Sequence, residues 1–408
     1  MNTKYFTLTF RVLRTLYIIN LVSLFSCENP KENISNLDNN LIEIGINPLE
    51  YQEFNLDSVY KSISYFPLAM RDEMPISYVN ALIEFDKKLI VISERILVFD
   101  NEGNFINEIG KRGEGPGEYS ALTRVRRIDN EVLDILDNES GKIITYNISG
   151  DLIEEWKNPE LLMALDFNRL NDDTYAVYGG TFFESKSGYR LLLIDKTDNS
   201  IVNSFFPLIG NEARFAVFLD NNSLWHSKGN LNFTYSFKDT IFYFSENKLV
   251  PRFYLNYGDK KFPKEVYTKG FPNVMEFLNF ARNSNYAYYS TNVLENNEIL
   301  FFTYEYEGYL HQSFYSTKRK ELDKFRLYSV KENRTEDIFY FLNYPKGISD
   351  KYIYFFIEPE EYMYRMNVLK ERGLLSSNFS SNILKTINDL GELISSTGSV
   401  IIIKAELF

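Results

Sequence analysis

From about residue 58 onward, apolar and polar residues alternate in short runs broken by Asn, Asp and Gly. A period of two gives a strand one apolar face, so the pattern predicts β-strands joined by tight turns. One unit recurs: a strand, a polar turn, then a strand ending in aliphatic or aromatic residues. It appears as Ala81 to Ile92 and returns as Val125 to Leu136. Weaker copies turn at Asp172-Asp173, Asn221-Asn222, Asn296-Asn297 and Ser349-Asp350, which makes six copies. A second hairpin follows each of the first five, with turns at Gly103, Gly150, Asn199, Asn247 and Lys320, spaced 47, 49, 48 and 73 residues apart. Two hairpins per step make four strands per unit, the blade of a β-propeller. A single blade cannot bury both of its faces, so the blades must stack into a ring. The expected fold is all-β: a six-bladed β-propeller of four-stranded blades with short helical insertions, over residues 58–408.

The long step implies an insertion of about 25 residues between Phe262 and Tyr289, carrying Pro263 and Pro272. Within it, Asn273 to Arg282 has apolar residues at helical spacing and predicts a short helix on one rim. The sixth unit is irregular. Lys351 to Ile357 reads as a strand, residues 359–393 turn helical, and Ser399 to Ala405 reads as a final strand. Pairing of that last strand with Tyr60 to Pro67 is the expected ring closure.

The N-terminus follows a different pattern. Lys4, Arg11 and Arg14 precede a short apolar stretch, Tyr17 to Phe25, which ends in Leu24-Phe25-Ser26-Cys27. The stretch is shorter than the ~20 residues a membrane-spanning helix needs. Residues 1–26 therefore read as a signal peptide. The ending resembles the lipobox of bacterial lipoproteins, with Cys27 as the lipidated residue and the membrane as its partner. Residues 27–57 are polar and rich in Asn, Glu and Pro, and read as a tether.

Between the first two blades lies Gly110-Lys111-Arg112-Gly113-Glu114-Gly115-Pro116-Gly117-Glu118-Tyr119. It lacks the spacing of a phosphate-binding P-loop, and its two glutamates would face the anion. Gly113, Gly115, Pro116 and Gly117 read instead as a structural turn between blades. Together with Phe99 to Gly110, the motif resembles the six-bladed β-propeller lipoproteins of Bacteroidetes and, more distantly, NHL repeats. Ile63 to Leu68, Asp239 to Tyr243, Leu249 to Phe253 and the terminal Val400 to Leu407 extend the resemblance over roughly residues 58–408. Ser396-Thr397-Gly398-Ser399 stands where that family's habit would place an Asn-Pro pair. The resemblance implies the propeller fold and a cell-envelope location, on the outer membrane. It implies no catalytic residues.

Composition removes several functions. The net charge is −12 with no basic block, which excludes nucleic-acid binding by phosphate neutralisation. Cys27 is the one cysteine, and His226 and His311 are the two histidines, so neither a disulfide nor a Cys- or His-rich metal site can form within the chain. Calcium remains a possible cofactor, because Asp100, Asp129, Asp137, Asp172, Asp173 and Asp195 recur at turns. Asp also favours turns for backbone reasons alone. No Gly-x-Ser-x-Gly elbow is present. His226 and His311 are candidates for the channel or rim, as are Tyr304 and Tyr306 in an aromatic-rich stretch. Two functions are carried forward. One is a non-catalytic envelope protein binding a protein, peptide or glycan through a propeller rim and funnel. The other is an envelope lyase or hydrolase with its site at the channel mouth. Convergence of a histidine with carboxylates at the channel would favour the enzyme, and an apolar lining would favour the binder.

Overall fold

The computed structural model describes residues 41–53, 59–69, 76, 78–183, 187–208, 222–329, 342, 344–371, 373 and 381–407. The stretch read as a signal peptide, Cys27 and the first part of the stretch read as a tether lie outside the described residues. Six small antiparallel sheets form a ring, a six-bladed propeller. Blade 1 comprises Ala81–Phe85, Lys88–Ile92, Ile96–Asp100 and Phe105–Glu108. Blade 2 comprises Arg124–Arg127, Val132–Asp137, Lys142–Asn147 and Leu152–Lys157. Blade 3 comprises Asp166–Arg169, Thr174–Tyr178, Tyr189–Asp195 and Ile201–Pro207. Blade 4 comprises Leu224–Ser227, Asn230–Phe233, Thr240–Ser245 and Lys248–Asn256, and blade 5 Ala287–Glu295, Ile299–Tyr306, Tyr309–Ser316 and Glu321–Ser329. Blade 6 takes Gly347–Ile348, Tyr352–Ile357 and Ile401–Leu407 from the C-terminal end and Tyr60–Pro67 from the N-terminal end. Ile401–Leu407 pairs antiparallel with Tyr60–Pro67, Ile403 opposite Tyr65, which is the closure the sequence predicts.

Among the described residues the core is six separate apolar interfaces, one between each pair of neighbouring blades, and a seventh cluster around the insertion. Strand alternation builds them. In blade 1, Ile90, Ile92, Ile96 and Val98 pack with Val125, Leu133 and Ile135 of blade 2. The intervening Leu89, Val91, Leu97 and Phe99 pack with Tyr354 and Ile402 of blade 6. Middle strands are therefore buried on both faces, and Ile299–Tyr306 is buried at every position.

Most predicted turns recur in place. One does not: the inner hairpin of blade 4 turns at Lys228-Gly229, not at Asn221-Asn222. Lys228 and Gly229 both adopt positive φ, 51° and 77°, as a two-residue hairpin with strand-matched twist requires. Asn222 stands just before the first strand of that blade, and Asn221 lies outside the described residues. The predicted insertion helix is α1 (Val274–Asn283). The Asn273 side chain caps it by accepting from Glu276 N at 3.0 Å. It buries Phe277, Leu278 and Ala281 in a cluster with Phe262 and Tyr288. The helical stretch of the sixth unit is α2 (Pro359–Glu371) and α3 (Ser381–Thr397). They link the second and third strands of blade 6, and Tyr362, Met366, Ile387 and Leu390 pack into the interface between blades 5 and 6. No helix among the described residues is long and apolar enough to cross a membrane.

Part of the stretch read as a tether is ordered against the ring. Ile42–Gly45 adds parallel to the outer edge of blade 4, and Gln52–Glu53 adds parallel to that of blade 5. Ile44 and Ile46 are buried among Phe253, Leu255 and Tyr257, so the anchoring contacts begin before residue 58.

Candidate functional site

The ring encloses an axial cavity of ≈ 770 Å³, walled by the first strands of all six blades and the residues just before them. That volume suits a small organic ligand. Hydrogen bonds between first strands hold the wall together. Arg127 of blade 2 donates to the Glu84 carbonyl of blade 1 at 3.2 Å. Asn222, leading into blade 4, donates to Val293 O of blade 5 at 2.7 Å. Asn292 of blade 5 donates to Pro345 O, leading into blade 6, at 3.3 Å. Leu82 N of blade 1 donates to Lys346 O at 2.8 Å.

Behind the lining residues Arg124 and Arg126 stands Asp166, whose carboxylate is almost fully buried. One oxygen accepts the amides of Ser223 and Leu224 at 2.8 and 3.0 Å. The other accepts from Phe167 N at 2.8 Å and from the Arg126 guanidinium. Arg124 Nε stands 3.6 Å from it. Arg126 also donates to Phe167 O at 3.0 Å and to Asn222 Oδ1 at 2.9 Å. Burial lowers the Arg124 pKa; Asp166 opposes that shift and Arg126 adds to it. Two guanidinium groups thus share one carboxylate.

Other wall carboxylates are also paired. Glu84 holds Lys404 at 2.9 Å. Glu295 receives Arg252 at 2.7 and 2.9 Å and Trp225 Nε1 at 3.0 Å. Asp129 accepts the amides of Glu131 and Val132 at 2.7 and 2.9 Å, as a turn aspartate does. Asp100 accepts the amides of Glu102 and Asn104 in the same way, and Asp195 that of Thr197. Among the described residues no three or more His, Cys, Asp or Glu side chains gather as a metal site.

The two histidines separate. His226, on the first strand of blade 4, lines the cavity with its ring exposed, and Nε2 donates to Arg169 O at 2.8 Å. The enclosing walls lower its pKa, an effect the Arg169 carbonyl opposes. With Nε2 donating, Nδ1 is left to accept. No carboxylate bonds to it among the described residues.

His311, Tyr304 and Tyr306 do not line the channel. His311 lies on the third strand of blade 5 and the two tyrosines on its second, away from the axis. All three are buried, because middle strands bury both faces. The His311 ring stacks on Tyr304 with centroids 4.6 Å apart and meets Tyr51 edge-on. Tyr306 donates to Asn285 Oδ1 at 2.8 Å. Burial pushes the His311 pKa down to about 4. A histidine kept neutral in the fold and protonated when unfolded makes stability fall as pH drops from about 6.5 towards 4. Replacing His311→Phe, which keeps a ring against Tyr304, is expected to flatten that part of the Tm–pH curve relative to the parent chain. An unchanged slope would show that His311 is not the group responsible.

The glycine motif is structural. Glu118 turns back to accept Gly115 N at 2.9 Å, and Glu155 of blade 2 accepts Gly117 N at 2.8 Å. Gly117 has φ +71°, a left-handed backbone that favours glycine. Pro116 sits in the turn between them.

Residues 41–389 match the model of DUF4934, a domain of unknown function. The chain belongs to the DUF4934 family. This DUF4934 protein shares its fold with a Bacteroides fragilis protein described as exported, at a TM-score of 0.66 and 18% identity, covering 90% of this chain and 99% of that one. A DUF4221-family member from Bacteroides vulgatus matches at 0.52 and 12% identity, covering 86% of this chain and 99% of that one. Virginiamycin B lyase from Staphylococcus aureus matches at 0.36 and 13% identity, covering 72% and 81%. No curated protein matches the sequence.

Reading the sequence alone misses Arg124, Arg126, Asp166 and Lys346. Their signal was position: each lies on, or just before, the first strand of a repeat, where side chains meet the axis.

Proposed function

We propose that this DUF4934 protein is a non-catalytic cell-envelope binding protein, anchored through a lipid on Cys27, that takes its ligand in the axial channel. The observation that carries the reading is the cavity itself: six blades wall a ligand-sized space in which Glu84 and Glu295 are each committed to a cation. Committed carboxylates serve poorly as general acids or bases, and the wall is polar enough to orient a ligand. The channel lining is not the apolar one that would most simply mark a binder. The exported description of the Bacteroides fragilis neighbour supports the envelope location. An envelope lyase or hydrolase has one observation in its favour, the exposed ring of His226 in the channel.

The test is a thermal-shift screen of the full-length chain against glycans, peptides and Ca²⁺, followed by turnover assays on any ligand found. A ligand at a hundred times its Kd adds about 2.7 kcal/mol of stability. Binding without turnover supports the binder. Turnover lost in His226→Ala establishes the enzyme instead. A Cys27→Ser chain that stays with the membrane fraction would overturn the anchor.

A further inference from the structure

The protein carries a net charge of −12, yet one part of its channel wall has the opposite sign. Three cations, Arg124, Arg126 and Lys346, line the cavity there, with Asp166 buried behind the two arginines and Glu84 paired with Lys404. Asp166 is turned into the wall, where the Ser223 and Leu224 amides also occupy it. Arg126 spends its donors on Asp166, Phe167 O and Asn222. Arg124 spends fewer: its Nη2 reaches Leu165 O at 3.5 Å, and its Nε, buried 3.6 Å from Asp166, makes no hydrogen bond among the described residues. The Lys346 ammonium lies 5.4 Å from the centre of the Phe356 ring and forms no ion pair among the described residues. Burial lowers the Lys346 pKa, and the Glu358 charge opposes that shift. A guanidinium and an ammonium partly stripped of water, with donors unspent, stabilise an anion that enters. Asn168, a few residues along the same wall, adds an amide that can orient such a group.

We propose that the channel recognises a small molecule bearing an oxyanion, a carboxylate, sulfate or phosphate group, seated between Arg124 and Lys346 with Arg126 supplying charge behind them. The inference rests on the channel-binding function above and names its ligand class. It places the charged group at the entry to the first strands of blades 2 and 6 and leaves the rest of the cavity, towards His226, for the uncharged part of the ligand.

The test is calorimetric titration of the full-length chain with inorganic phosphate, inorganic sulfate and glucuronate, with glucose as the uncharged control. At least one anion is expected to bind, more weakly as salt rises, because screening weakens charge attraction. Which of the three binds best tells phosphate, sulfate and carboxylate recognition apart. Lys346→Gln and Arg124→Gln are each expected to weaken binding by about tenfold or more. Lys346 has no structural ion pair to lose, so that variant should melt like the parent. Binding unchanged in Lys346→Gln, or no binding by any of the three anions, overturns the proposal. Glucose binding as tightly as glucuronate also overturns it but leaves the channel as a binding site. A flat response to every glycan, peptide and anion removes both readings.

Discussion

A chain ending at Gly398 is expected not to fold to a stable monomer. Its missing strand, Ile401–Leu407, lies inside blade 6, with Tyr352–Ile357 on one side and Tyr60–Pro67 on the other. Removing it exposes two ladders at once and cuts the only strand-to-strand link between the chain's two ends among the described residues. Ile401, Ile402 and Ile403 are fully buried in the two interfaces that blade 6 makes. Each contributes about 1.5–3 kcal/mol by burial, before any ladder is counted. A whole domain has only about 5–15 kcal/mol to lose. The ring would then have two open edges and unpaired strands prone to association. Circular dichroism should show loss of a cooperative melt, and gel filtration should show aggregates. A truncated chain melting within a few degrees of the parent would mean that the four interfaces blade 6 does not make hold the ring shut. Ile403→Ala is the graded version, with an expected cost of about 2–5 kcal/mol.

Asp134→Ala is expected to be the most damaging single substitution away from the channel. The Asp134 carboxylate is fully buried in blade 2 and binds the Arg169 guanidinium of blade 3 through two bonds, at 2.6 and 2.8 Å. It also accepts from Thr145 Oγ1 at 2.6 Å and from the Tyr175 hydroxyl at 3.0 Å. Burial works against the Arg169 charge, but Asp134 outweighs it and lifts the arginine pKa above its usual value. Deleting the carboxylate leaves that charge in the wall without its counterion and strands two hydroxyls. The expected loss is about 3–5 kcal/mol, most of it from the unpaired charge. Replacing both residues, Asp134→Ala with Arg169→Met, should recover part of the loss, since no buried charge is then left alone. Equal damage from the single and double changes would show that packing, not charge pairing, dominates here.

The fold was legible because blades are local. A blade is two hairpins in sequence, and the period-two pattern with Asn, Asp and Gly turns marks each one within a few dozen residues. The same locality exposed α1, whose cap and apolar spacing all fall within Asn273 to Arg282. The exception in blade 4 is instructive. Asn221-Asn222 has the composition of a turn, but Asn222 is spent tying blade 4 to Arg126 and Val293, while Lys228-Gly229 makes the hairpin. Composition shows where a turn can form, and packing decides where it does.

By itself, the sequence determined six repeats, four strands in most of them, the insertion, and the pairing of Tyr60–Pro67 with the last strand. The repeats and strands follow from side-chain alternation, a property of each strand alone, the insertion from turn spacing, and the pairing from the need of a ring to close. Only the tertiary structure decided which polar residues meet. His226 and His311 look alike in sequence, each a lone histidine on a strand. One stands on a first strand and faces the channel, while the other stands on a third strand and is sealed against Tyr304. The sharing of Asp166 by Arg124 and Arg126, and the binding of Ile42–Gly45 to blade 4, were equally hidden. Such contacts join residues that are tens to hundreds of positions apart. Their geometry exists only when the ring closes, because closure brings six first strands to one axis.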